Sequence, residues 1–248
     1  MAGHSKWANI KHRKAAQDKK RGKIFTRIIR EIMTAAKQGG GDPGANPALR
    51  LAMDNARSEN MPKDTVERAI KRGTGEIEGA DYEEVVYEGY GPGNVAVMVK
   101  CLTDNRARTA ANVRTAFNKN GGRFGETVNY MFEEKGIIFY PADVADEDTM
   151  MMAAIEAGAE DVASDENGHE ITTAMTDFGA VNNALKEQFG KAEEADLNYV
   201  ANMKQPVEDE ETAQKLMKFI DAVEQDDDVQ TLASNAEIDD TIAEKLAS

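Results

Sequence analysis

Ten cations crowd a short stretch near the N-terminus: Lys6, Lys11, Arg13, Lys14, Lys19, Lys20, Arg21, Lys23, Arg27 and Arg30. Before Glu31 they are opposed only by Asp18. Side chains of this kind neutralise backbone phosphates and release condensed counterions, which is the main sequence-independent term in nucleic-acid affinity. About six such contacts predict a log–log salt slope of about −4 to −5. Trp7, the single tryptophan, lies inside the tract. It can stack on an exposed base or anchor a packed core, and the sequence does not choose between them. His4 and His12 add to the same polyanion-facing surface.

A second basic island lies far along the chain. Lys100, Arg106, Arg108, Arg114, Lys119 and Arg123 are opposed by Asp104 alone. Arg106, Arg108 and Thr109 fall at the start of a predicted helix, where free backbone N–H groups favour anions. Gly121-Gly122-Arg123-Phe124-Gly125 makes a loop whose backbone can approach a phosphate or a base closely. The plainer alternative is a local Asp104–Arg106 ion pair, with glycines that only turn the chain.

Other chemistry is less well supported. Gly89, Gly91 and Gly93 surround Pro92 between two predicted strands, which suits a hairpin turn and not a dinucleotide loop. His4, His12, His169 and Cys101 show no metal-ligand spacing. One cysteine excludes an intramolecular disulfide and suits a reducing compartment. The runs 208–211 (Glu-Asp-Glu-Glu) and 226–228 (Asp-Asp-Asp) flank a predicted helix. They read as a charge bias at its start and a solvated turn after it. No nucleophile–base arrangement is readable. The expectation is a cytoplasmic, non-enzymatic protein with no cofactor, metal, small-molecule substrate or membrane partner.

The elements that must position these residues follow from pattern. Residues 1–72 hold 17 lysines and arginines against 7 carboxylates, a net of +10 within a chain of −15; the remainder is −25. Such asymmetry suggests a polyanion-binding segment on an acidic body. Ile24, Ile28, Ile32 and Ala36 predict a helix with Lys23, Arg27 and Arg30 on its other side. Helices after Pro47 and from Pro62 to Arg72 complete a small bundle, and 73–79 reads as a linker. Beyond it, strands are expected at 82–87, 95–102, 128–132, 137–140, around the Asn167-Gly168 turn, at 197–203 and near Val229. Helices are expected at 106–120, from 147 to Gly158, at 178–189 and at 210–224. The fold class is α+β and multidomain, a helical bundle followed by two small α/β sandwiches.

The segments GHSKWANIKHRKAAQDKKRGKIF, GGGDP, YEGYGPG, CLTDNRARTAANVR with FNKNGG, EAGAEDV and DDDVQTLASNAEI together resemble the YebC family of bacterial and organellar proteins. The resemblance covers nearly the whole chain. Here Gly125-Glu126-Thr127-Val128 is shorter than the glycine–serine–valine stretch that family members often carry. The resemblance implies three domains: 1–79, a discontinuous middle domain of 80–134 plus 206–248, and an acidic domain, 135–205, inserted into it. It also implies one of two roles, a probable DNA-binding transcriptional regulator or a ribosome-associated factor. The second role is that of the mitochondrial translational activator of cytochrome oxidase, which aids synthesis of difficult sequences such as proline runs. The expected partner is accordingly DNA, or ribosomal or transfer RNA with the ribosome.

Overall fold

Apolar residues four apart set the first element. Ile28, Ile32 and Ala36 form the buried face of α1 (Lys20–Gly39) in the computed structural model, which describes residues 20–247. This helix packs on α2 (Pro47–Ser58) and α3 (Lys63–Gly73) through Leu49, Ala52, Ala56, Val66 and Ala69. The two shorter helices are marginal alone, so this shared burial holds them. Asn46 accepts from the Leu49 amide to cap α2 and donates to the carbonyls of Ala35 and Gly40, which ties the glycine loop to the end of α1.

After an exposed stretch at 74–81, β1 (Glu83–Tyr90) and β2 (Ala96–Thr103) make an antiparallel hairpin around a 3-10 turn at Pro92–Asn94. The hairpin reading of the glycines around Pro92 therefore holds. Helix α4 (Arg106–Lys119) leads to a two-residue edge strand, β3 (Arg123–Phe124), on β1. Gly89 permits that pairing, because a Cβ there would stand 2.2 Å from the Arg123 carbonyl oxygen.

The chain then builds a second sheet from β4 (Phe132–Pro141), β5 (Asp161–Ser164), β6 (Gly168–Ala174) and β7 (Glu194–Ala201), in the order β5-β6-β4-β7. Helices α5 (Glu147–Ala157) and α6 (Phe178–Phe189) cover it through Met150, Ala154, Val181 and Leu185. It next passes through β8 (Gln205–Val207) and α7 (Glu210–Glu224) to β9 (Val229–Ser234), which pairs with β2 and completes the order β3-β1-β2-β9. Alternation along β2 divides its contacts. Val97, Val99 and Cys101 meet Phe117 of α4 and Phe219 of α7, whereas Ala96 and Met98 meet Phe132 and Ala201 of the second sheet.

Several expectations need correction. The two strands predicted at 128–132 and 137–140 are one long strand, β4, preceded by a 3-10 turn at Asn129–Met131. Buried Val128 gave that turn its strand-like pattern. Val229 does not begin the last element, since β10 (Ala236–Ile238) pairs in parallel with β8 and α8 (Asp240–Ala247) follows. His169 is a satisfied core residue between Ser164 and the Ala145 carbonyl. Burial pushes the Cys101 thiol up to about 12, so it stays protonated. No helix among the described residues is long and apolar enough to cross a membrane.

Candidate nucleic-acid interface

Of the predicted cations, Lys6, Lys11, Arg13, Lys14 and Lys19 lie outside the described residues, as do Trp7 and His12. Lys20 and Arg21 open α1. The next three cations do not take the free side that the helical pattern suggested. Lys23 Nζ donates to the Glu224 carbonyl at 2.6 Å and Arg27 Nη2 reaches the same oxygen at 3.5 Å. Arg30, only 9% exposed, donates to the Asp227 carbonyl and pairs with Asp228 Oδ1 at 3.0 Å, while its guanidinium lies 5.2 Å from the Tyr82 ring centre. For Lys23 and Arg27 the reason is that the last carbonyls of α7 have no partner within their own helix, and its dipole favours cations there. Burial and the neighbouring Arg27 together lower the Lys23 ammonium below the ordinary lysine value, against the pull of Asp227.

The acidic run after α7 is solvated only in part: Asp227 is exposed, as a turn residue should be, but its neighbour is not. Asp228 is 3% exposed. Its Oδ1 takes Arg30 from the bundle; its Oδ2 accepts from Arg108 Nη2 at 2.8 Å, Thr109 Oγ1 at 2.6 Å and Thr103 Oγ1 at 3.1 Å. Burial alone would raise this carboxyl, but the hydrogen bonds from Arg108 and Thr109 and the charge of Arg30 hold it below the ordinary aspartate value. One carboxylate thus joins the two basic islands, Arg30 of the first and Arg108 of the second, which the sequence places 78 positions apart. Asp228 escaped the sequence reading because a triple aspartate resembles a surface turn. The signal present was its place directly before the apolar strand β9.

The joint is incompletely paired. Arg27 Nε, Arg30 Nε, Thr34 Oγ1 and Gln230 Oε1 are buried without a hydrogen-bond partner among the described residues. The bundle also touches the second sheet and its helices, with Lys186 Nζ 3.2 Å from Asp54 Oδ2 and Asn55 Nδ2 3.3 Å from Asp196 Oδ1.

The second island is more open. Helix α4 carries Arg106, Arg108, Arg114 and Lys119 and no acidic residue. Asn105 caps it by accepting from the Arg108 amide. The local ion pair forms between Asp104 and Arg108, at 2.8 Å, and not with Arg106, which approaches Glu83 at 3.7 Å. Arg114 lies over the Phe124 ring at 5.2 Å, and Lys119 is exposed at the end of the helix. Arg123 reaches Glu126, Asn94 and the face of Tyr90. Such a helix face can meet phosphates by charge.

Comparison with known proteins agrees with this architecture. The family described as "TACO1/YebC protein N-terminal domain" matches residues 5–76, and "TACO1/YebC second and third domain" matches residues 82–236. A protein of Persephonella marina named "Probable transcriptional regulatory protein" is 53% identical, with both chains fully covered. One of the same name from Cronobacter sakazakii is 55% identical over 99% of this chain and all of its own. The crystal structure of a conserved hypothetical protein, Aq1575 from Aquifex aeolicus, superimposes with a TM-score of 0.85 at 45% identity, covering 90% of this chain and 93% of that one. The chain belongs to the TACO1/YebC family, whose curated members it resembles over its full length.

Proposed function

We propose that this protein is a regulator that acts by binding nucleic acid and not by catalysis, with duplex DNA as the target in keeping with its relatives' names. The contact would comprise the cations from Lys6 to Arg21 together with the acid-free face of α4. The observation that carries this reading is the sharing of Asp228 by Arg30 and Arg108. It brings α1, the helix that follows the N-terminal basic tract, beside α4, which bears the second island, and so supports reading the two as parts of one contact. The chain divides, on this reading, into the bundle at 1–79, a middle unit of 80–134 plus 206–248, and an inserted unit at 135–205.

A ribosome- or RNA-binding translation factor is favoured instead by one feature. The cations come from two different units, as suits a folded RNA surface better than a groove read by one helix. Fluorescence anisotropy against duplex DNA and structured RNA, each over a range of salt, tests both. Neutralising Arg13, Lys14, Lys20 and Arg21 together is expected to reduce the salt slope by about three to four on the preferred target. An unchanged slope on both targets would remove the basic tract from the interface.

A further inference from the structure

Edge strand β3 carries an arginine–aromatic pair on each of its faces. Neighbouring residues of a strand point to opposite sides. Phe124 turns to the helix side, where it meets Phe117 and Tyr87, with ring centres 5.6 Å away in each case. Arg123 turns to the other side, and its guanidinium stands 5.0 Å from the ring centre of Tyr90. The neighbouring Tyr130 phenol raises Tyr90 above the ordinary tyrosine value. Tyr130 itself is 64% exposed.

The fold does not need a ring at Tyr130. Its turn is fixed by Glu88, whose carboxylate accepts from the amides of Val128 and Asn129 at 2.8 Å each, and by the fully buried Val128. Arg123 engages Glu126 Oε1 through Nε at 2.7 Å and Asn94 Oδ1 through Nη1 at 3.2 Å, which leaves Nη2 without a hydrogen-bond partner among the described residues. The two acids beside this edge, Glu88 and Glu126, are both already hydrogen-bonded. What remains outward is one aromatic ring and one guanidinium edge, both neighbours of Tyr90.

We propose that the Tyr130–Tyr90–Arg123 edge is a contact for an unpaired stretch of nucleic acid, with one base stacked on Tyr130 and an adjacent phosphate met by Arg123 Nη2. This rests on the nucleic-acid reading above and adds to it a requirement for accessible bases. Stacking on an aromatic ring tolerates any base but needs its face, which a duplex hides. Tyrosine supplies that face at low entropic cost, because only two side-chain torsions must be fixed.

The test uses the full-length chain and two strands of about 12 nucleotides, within the span of single-strand sites: one RNA and one abasic sugar-phosphate strand of equal charge. Tyr130→Ala is expected to weaken binding of the RNA about tenfold and to leave the abasic strand unaffected, whereas Tyr130→Phe behaves as wild type on both. Arg123→Gln is expected to weaken both strands and to lower the salt slope by about 0.7, the value for one phosphate of a single strand. Thermal unfolding should not move for Tyr130→Ala, since the ring is outside every core. RNA binding by Tyr130→Ala equal to wild type, or equal losses on both strands, overturns the stacking contact alone. Failure of wild type to bind either strand while it binds duplex DNA overturns this contact alone; failure to bind any nucleic acid overturns the nucleic-acid reading and this contact with it.

Discussion

Two groups of arginines carry the same charge and do opposite things. Arg27 and Arg30 on α1 face inward to the end of α7 and to Asp228, where they join the bundle to the middle sheet. Arg114 and Arg123 cover aromatic rings at the rim of that sheet and remain exposed. The difference lies in what each helix meets. The flank of α1 meets orphan carbonyls and a buried carboxylate, which demand donors. The outer face of α4 meets water. A count of positive charge therefore overstates the surface available to a polyanion, and the count must be corrected by what the fold has already engaged.

The largest expected effect comes from breaking the inward group at its centre. Asp228→Ala would strand the buried Arg30 guanidinium and two threonine hydroxyls and take one of two carboxylate partners from the half-exposed Arg108, a loss of about 3–5 kcal/mol, measured by urea unfolding. Asp227→Ala should change little by the same measure, because its side chain is exposed and Arg30 uses only its backbone carbonyl.

A pair of double variants then sharpens the contrast. Arg114→Gln with Lys119→Gln is expected to lower the salt slope on duplex DNA by about two while leaving the unfolding midpoint in place. Lys23→Gln with Arg27→Gln should do the reverse, costing about 1 kcal/mol in lost capping of α7 and leaving the slope unchanged. An equal fall in slope for both pairs would mean that the joint opens when nucleic acid binds and releases its cations.

Acid separates the groups further. Because Asp228 titrates below an ordinary aspartate, its contribution is complete above about pH 4 and is lost as pH falls through its lowered value. The stability difference between wild type and Asp228→Asn should accordingly shrink below pH 4 in a pH series of unfolding midpoints.

The smallest effect concerns Glu31, one turn beyond Arg27 on α1 and near Asp196 of β7. Burial, and then Asp196, raise the Glu31 carboxyl above the ordinary glutamate value, against the pull of Arg27 and Lys100. A raised carboxyl binds its proton more tightly in the folded state, so its ionisation costs stability from about pH 4.3 upward. Glu31→Gln should raise the thermal midpoint at pH 7.5, with the gain vanishing near pH 4. A midpoint equal to wild type at both pH values would show that the pair is fully solvated.

Much of the local structure was legible in the chain. The i, i+4 spacing of Ile24, Ile28 and Ile32 specified α1, and the alternating apolar runs gave β1 and β2, because these periods are imposed by backbone geometry. The hairpin at Asn167-Gly168 followed from turn chemistry. The 3-10 turn before β4 was not legible, since a buried valine followed by an aromatic run has the composition of a strand. The β8–β10 pair was missed for a different reason: it joins residues about thirty apart in sequence through three-residue strands, too short to show a period.

By itself the sequence determined the basic tract, the helical bundle, the alternation of strands and helices, and the resemblance to a family. Tertiary structure alone decided which cations are occupied. That choice depends on Glu224, Asp227 and Asp228, which lie about two hundred residues from the arginines they receive. Local periodicity places a side chain on a face of its own helix, but what that face meets is set by packing at long range.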